Sequence, residues 1–134
     1  MTRRRLTALA LALCAALPAL FSSDVARADE ATWSAVDQAA ATHRVSAPFL
    51  HCLANRESGH NPGAVNRRGN FHGAFQYLPG TWAGASWRYG YGGASVYDGW
   101  ANAHVTAAAI AAHPWQWAWL YGQWPPARWC GSPW

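Results

Sequence analysis

Between Ala31 and Pro114 the chain alternates between stretches with apolar residues at helical spacing and stretches with none. Trp33, Val36, Ala40 and Ala41 predict a first helix over Ala31–His43. A second is expected from Ser46, a side-chain cap, with Pro48 in the first turn, where a missing N–H costs little. It runs to about Ser58, and Gly59 ends it. From His60 to Gly80 the periodicity is lost among turn signals: Asn61-Pro62-Gly63, Arg68-Gly69-Asn70, Gly73 and Pro79-Gly80. A short hairpin or irregular loop is expected there, carrying Phe71 to Leu78. Thr81–Trp87 reads as a short helix, and Tyr89–Gly93 as a Gly/Tyr loop. A further helix starts at Tyr97 or Asp98, is anchored by Val105 and Ile110, and stops before Pro114. The tail predicts one short helix, Trp115–Tyr121, and then extended chain. The expected fold is mainly α, with a short hairpin or loop region beside the second helix.

The N-terminus has a different pattern. Arg3, Arg4 and Arg5 precede an apolar run, Leu6 to Phe21, and a polar stretch ends in Ala26-Arg27-Ala28. A basic head, a short apolar middle and an A-x-A site predict a secretory leader over residues 1–28. The run is about 16 residues, short of the roughly 20 that a helix needs to span a bilayer. An uncleaved N-terminal anchor is the other reading. Residues 29–134 would form one domain, exported to the outside or the cell wall, with no stable membrane insertion and a monomeric state.

Cleavage changes what composition implies. The whole chain of 134 residues has formal charge +4. Residues 29–134 keep six arginines against five acids (Asp29, Glu30, Asp37, Glu57, Asp98), a balance of +1. No basic stripe remains, so nucleic acid is not an expected partner. Removing Cys14 leaves Cys52 and Cys130, and two cysteines in an exported chain predict one disulfide. Two separate thiols are the alternative. The cysteines are far apart and no histidine pair stands beside them at ligand spacing, so neither metal nor cofactor is expected. All ten tryptophans lie after residue 29. Most are expected in the core or near the C-terminal end, with two or three in a groove.

One carboxylate interrupts an apolar face. Leu50, Leu53, Ala54 and Glu57 stand at i, i+3, i+4 and i+7 of the second helix. Glu57 thus emerges from the apolar side at the negative end of the helix dipole. Burial and the dipole both favour its neutral form, which is what protonation of a glycosidic oxygen requires. The plainer alternative is an ion pair with Arg56, Arg67 or Arg68.

The residues around Glu57 decide between these. Ala41 to Leu50, then Glu57-Ser58-Gly59, Asn61-Pro62, Ala64-Val65-Asn66, Gly73-Ala74-Phe75-Gln76 and Leu78-Pro79-Gly80-Thr81-Trp82 follow in order. This segment resembles the catalytic segment of lytic transglycosylases and of resuscitation-promoting factors, both of the lysozyme-like superfamily. The resemblance covers Val36 to Trp82 and is loose beyond. It implies a lysozyme-like α+β fold and a secreted enzyme that cuts peptidoglycan strands between N-acetylmuramic acid and N-acetylglucosamine. Glu57 would be the catalytic acid, and Ser58 would orient it or a sugar amide. Gln76 would hydrogen-bond substrate. Phe75, where many transglycosylases carry Met, would pack against sugar. Thr81 and Trp82 would line or close the cleft, and Tyr121 would stand in for a late tyrosine of the family.

Glycoside hydrolysis ordinarily uses two carboxylates. Asp98 is the one acid downstream of Glu57, and it reads first as a helix cap. A scarcity of acids favours a single-carboxylate reaction, and the resemblance implies one that yields a 1,6-anhydro sugar. A hydrolytic muramidase, a non-catalytic peptidoglycan-binding module and a small structural or partner-binding protein are the competing readings. His60 and His72 read as surface or hydrogen-bonded groups. Arg67 and Arg68 read as a solvated turn or as contacts to acidic peptide stems. Trp87, Tyr89 and Tyr91 read equally as a stacking rim or as core.

Overall fold

The computed structural model describes the backbone from Leu17 to Trp134 and side chains from Glu30 onward. The leader expected over residues 1–28 depends on residues 1–16 and on side chains before Glu30, so it lies outside the described residues. Within them the protein is mainly helical, with one two-stranded sheet and one disulfide. Helices α1 (Leu17–His43) and α2 (Ala47–Ser58) come first. Two short antiparallel strands follow, β1 (Val65–Asn66) and β2 (Phe71–His72), pairing Val65 with His72 and Asn66 with Phe71. Then come α3 (Pro79–Arg88), α4 (Gly99–Ala111), α5 (Trp117–Gln123) and a 3₁₀ turn, Pro125–Trp129. Among the described residues no helix is long and apolar enough to cross a membrane.

Helix α4 is the axis of the fold. Residues 101–107, 109 and 110 of it are buried, so both faces of this helix are covered. Alanine supplies many of these positions, which lets neighbouring backbones come close. Its main partner is α1, whose Thr32, Ala35, Val36, Ala39 and Ala40 are buried. The approach is tight at the start of α4, where a Cβ on Gly99 would sit 2.9 Å from Thr32 Oγ1. Phe49, Leu50, Leu53 and Ala54 of α2 complete the core from the other side.

Local signals and structure agree at the predicted caps. Ser46 Oγ accepts from Phe49 N–H at 3.4 Å. Gly59 closes α2 in the left-handed region at φ 65°, and its N–H donates to the Asn55 carbonyl at 2.9 Å. Asp98 Oδ1 accepts from the N–H groups of Trp100 (3.0 Å) and Ala101 (3.1 Å), the cap role read for it.

Several boundaries differ. Helix α1 begins at Leu17 rather than Ala31, since neither Pro nor Gly interrupts residues 19–43. Helix α3 begins at Pro79 rather than Thr81, because a first-turn proline needs no N–H partner. Trp115 lies outside α5: it has φ 61°, directly after Pro114, and the chain reverses there before the helix starts at Trp117. The last stretch is a 3₁₀ turn opened by Pro125-Pro126 rather than extended chain.

The bridge joins Cys52 in α2 to Cys130 after the 3₁₀ turn, with Cα atoms 5.5 Å apart. A backbone bond from Ser46 N–H to the Pro133 carbonyl, 2.7 Å, ties the tail to the start of the same helix. The tryptophans are less buried than their number suggests. Trp82 and Trp124 are buried, while Trp33, Trp87, Trp100, Trp115 and Trp129 are exposed.

Candidate active site

Helix α2 presents Leu50, Leu53 and Ala54 to the core with no exposed surface, and Glu57 continues the same stripe at the helix end. Its carboxyl is half-buried. Among the described residues it makes no hydrogen bond and no ion pair, and this removes the expectation of pairing with Arg56, Arg67 or Arg68. Desolvation pushes its pKa up from 4.5 to about 7. The result is a carboxyl that holds a proton near neutral pH and has its oxygens free for a ligand.

The next residue fastens this acid to the rest of the site. Ser58 Oγ donates to the Ala74 carbonyl at 2.8 Å and accepts from Asn61 N–H at 3.1 Å. The sequence reading gave Ser58 to the carboxylate or a sugar amide; its hydroxyl is instead spent on backbone, locking α2 to the turn that follows β2.

That turn is Gly73-Ala74-Phe75-Gln76. His72 and Tyr77 close it through two backbone bonds of 2.9 Å. Gly73 has φ 82°, and a Cβ there would sit 2.4 Å from the Val96 carbonyl oxygen and 2.8 Å from Asn102 Nδ2. Gln76 also takes a left-handed φ, 53°. Its side-chain Nε2 donates to the Gly73 carbonyl at 2.9 Å. Its Oε1 has no partner among the described residues and is available as an acceptor.

Phe75 departs from its expected role. It is fully buried, so its ring supports the turn from inside and offers no face to a sugar. Its backbone is clamped on both sides by side chains distant in sequence. Phe75 N–H donates to Asn102 Oδ1 at 3.1 Å, and Trp124 Nε1 donates to the Phe75 carbonyl at 2.9 Å. Asn102 also donates from Nδ2 to the Val96 carbonyl at 2.8 Å. Sequence reasoning missed Asn102 and Trp124. A lone amide in the alanine-rich α4 was the available signal for the first, since a fully buried Asn must find partners. Asn102→Ala strands the Phe75 N–H and the Val96 carbonyl. It is expected to lower unfolding free energy by roughly 2–4 kcal/mol, read by urea denaturation.

Beyond the turn, a cleft of about 390 Å³ opens between α3, the end of α4 and α5. Tyr77 and Trp124 form part of its wall with Trp119, and Thr81, Arg88 and Gln123 offer polar groups. Aromatic walls with a few hydrogen-bonding groups suit a sugar ring. Thr81 lines this cleft. Trp82 does not: its ring is buried, and Nε1 donates to the Ala94 carbonyl at 2.9 Å, holding the Gly/Tyr loop. Tyr121 is not among the cleft residues either; it lies against Trp117 and Arg128. Tyr89 lines the cleft, Tyr91 packs toward His104, and Trp87 is exposed. Glu57 itself does not line this cleft. The Ala74–Gln76 turn connects the two, since Ser58 holds one end and Tyr77 begins the cleft wall.

Asp37, His51, His60 and His72 are engaged elsewhere. Asp37 Oδ1 lies 2.8 Å from His51 Nε2, and His51 Nδ1 lies 3.1 Å from His60 Nε2. Trp33 stacks on both rings, at 4.2 and 4.0 Å between centroids. His60 is thus buried and bonded rather than at the surface. His72 bonds Tyr97 Oη (2.6 Å) and Asn70 Oδ1 (2.8 Å). No group of three His, Cys, Asp or Glu side chains able to hold a metal occurs among the described residues. No protein-family model, curated protein or solved structure matches this chain.

Proposed function

We propose that this chain is a secreted, lysozyme-like lytic transglycosylase that cuts peptidoglycan with Glu57 as its single acid–base group. The observation that carries the reading is the state of Glu57. It is half-buried and unpaired among the described residues, it is held neutral up to about pH 7, and it is locked through Ser58 to the Gly73–Gln76 turn. The sequence resemblance running from Val36 to Trp82 supplies the substrate class. A disulfide fits an oxidising compartment and so supports export.

In this reading the neutral Glu57 gives its proton to the oxygen between N-acetylmuramic acid and N-acetylglucosamine. The bond from the muramic anomeric carbon to that oxygen breaks, and the N-acetylglucosamine side leaves as an alcohol. The Glu57 carboxylate then takes the proton of the muramic 6-hydroxyl, whose oxygen bonds to the anomeric carbon. Glu57 ends neutral, and no water is consumed. In this reading Gln76 Oε1, without a partner among the described residues, accepts from a substrate N–H or O–H. A two-carboxylate route finds less support: Asp98 is engaged as the cap of α4, and Asp37 pairs with His51.

Mass spectrometry after incubation with purified peptidoglycan tests this. The expected products are 1,6-anhydro-muropeptides. New reducing ends in their place would make the protein a muramidase. Sedimentation with peptidoglycan without any product would make it a binding module.

A further inference from the structure

The exposed surface beside the bridge carries an arrangement that the cleavage reaction leaves unexplained. Trp129 ends the 3₁₀ turn and is 63% exposed, although the next residue, Cys130, anchors it covalently to α2. The Arg56 guanidinium lies 5.7 Å from the Trp129 ring centroid, and that of Arg128 lies 5.8 Å from it. Arg128 also lies 5.5 Å from the Tyr121 ring. Both arginines are exposed, and neither pairs with a carboxylate among the described residues.

Each guanidinium group sits against the same exposed ring with no carboxylate beside it among the described residues, an environment that favours an anion. Their aromatic contacts restrain each fork and leave its N–H groups to solvent, ready for bidentate contact with a carboxylate. The exposed indole offers an apolar surface of the size a pyranose covers. Arg56 stands one turn after Cys52, so the bridge fixes the spacing between the α2 charge and the Trp129 ring.

We propose that Trp129, Arg56 and Arg128 form a binding subsite for a carboxylate-bearing saccharide. The ring stacks on the sugar, and the guanidinium groups take its carboxylate. Arg56 directly precedes Glu57 in α2 and projects from a different face of that helix. If the peptidoglycan reading above holds, on which only the natural ligand's identity rests, the carboxylates are those on the substituents of the glycan strand.

Calorimetric titration with trigalacturonate, and with its neutral methyl ester, tests this at low ionic strength. Wild type is expected to bind the acid at least about tenfold more tightly than the ester, a preference lost as salt rises. Arg56→Gln/Arg128→Gln should remove that preference, and Trp129→Ala should weaken both probes, with melting temperatures unchanged. Equal affinity for acid and ester in wild type, or unchanged affinities in the variants, overturns the subsite. Peptidoglycan cleavage by wild type alongside unchanged probe affinities overturns the subsite alone. Acid binding that requires both arginines in a protein that cleaves no peptidoglycan overturns the proposed function alone.

Discussion

Glu57→Gln is expected to remove essentially all peptidoglycan cleavage while leaving the fold intact. A positioned acid–base group contributes roughly 10²–10⁴-fold. Glu57 serves in both proton transfers of the proposed reaction, so the loss should lie at the upper end. Wild-type kcat/KM should fall about tenfold per pH unit above about pH 7, where Glu57 loses its proton. Stability gives a second, independent readout. A carboxyl with a raised folded-state pKa opposes folding once ionised. That penalty is fully present above about pH 7 and vanishes below the ordinary 4.5. Glu57→Gln should therefore melt higher than wild type at pH 8 and alongside it at pH 4. Undiminished activity in the variant would end the catalytic assignment. Equal melting at pH 8 would show that the carboxyl is not desolvated.

Opening the Cys52–Cys130 bridge should have the largest effect on stability. It closes a 78-residue separation, for which the chain-entropy model gives about 4–5 kcal/mol. For a domain of this size that corresponds to a fall in Tm on the order of 20 °C. The Cys52→Ser/Cys130→Ser double variant, followed by calorimetry, checks this. A loss below about 1 kcal/mol would mean that the Ser46–Pro133 bond and the packing of α4 hold the tail unaided. Intact mass with and without reduction and alkylation checks the pairing itself.

The legible parts of the molecule are those governed by neighbours in sequence. Ser46, Gly59 and Asp98 cap helices through bonds spanning two to four residues, so composition and position suffice to read them. The face carrying Leu50, Leu53, Ala54 and Glu57 needs only helical spacing. The site's supports are of another kind. Ser58 meets Ala74 across 16 residues, Asn102 meets Phe75 across 27, and Trp124 meets Phe75 across 49. No local rule selects those pairings, and each is decided by how α4 and the tail pack. The same limit explains Phe75 and Trp82. Both occur in the segment that resembles a catalytic one, yet the core claims both rings. Trp115 shows a backbone version of it: a left-handed tryptophan after a proline has no sequence signal.

The double clamp on the Phe75 peptide divides the turn into positions with different freedom to change. Residue 75 is committed three times over, by its ring, its N–H and its carbonyl. Residue 76 is committed through a backbone shape that asparagine or glycine also adopts and through two bonds back to the Gly73 carbonyl, one from its backbone N–H and one from its side chain. In the proposed reading, variation at 76 therefore reaches the ligand without disturbing the frame, whereas variation at 75 disturbs the frame without reaching the ligand. A library built at these two adjacent codons would separate folding from selectivity. Survivors at 75 would be few and large and apolar, and those at 76 would be residues that accept a left-handed backbone and differ in what they recognise.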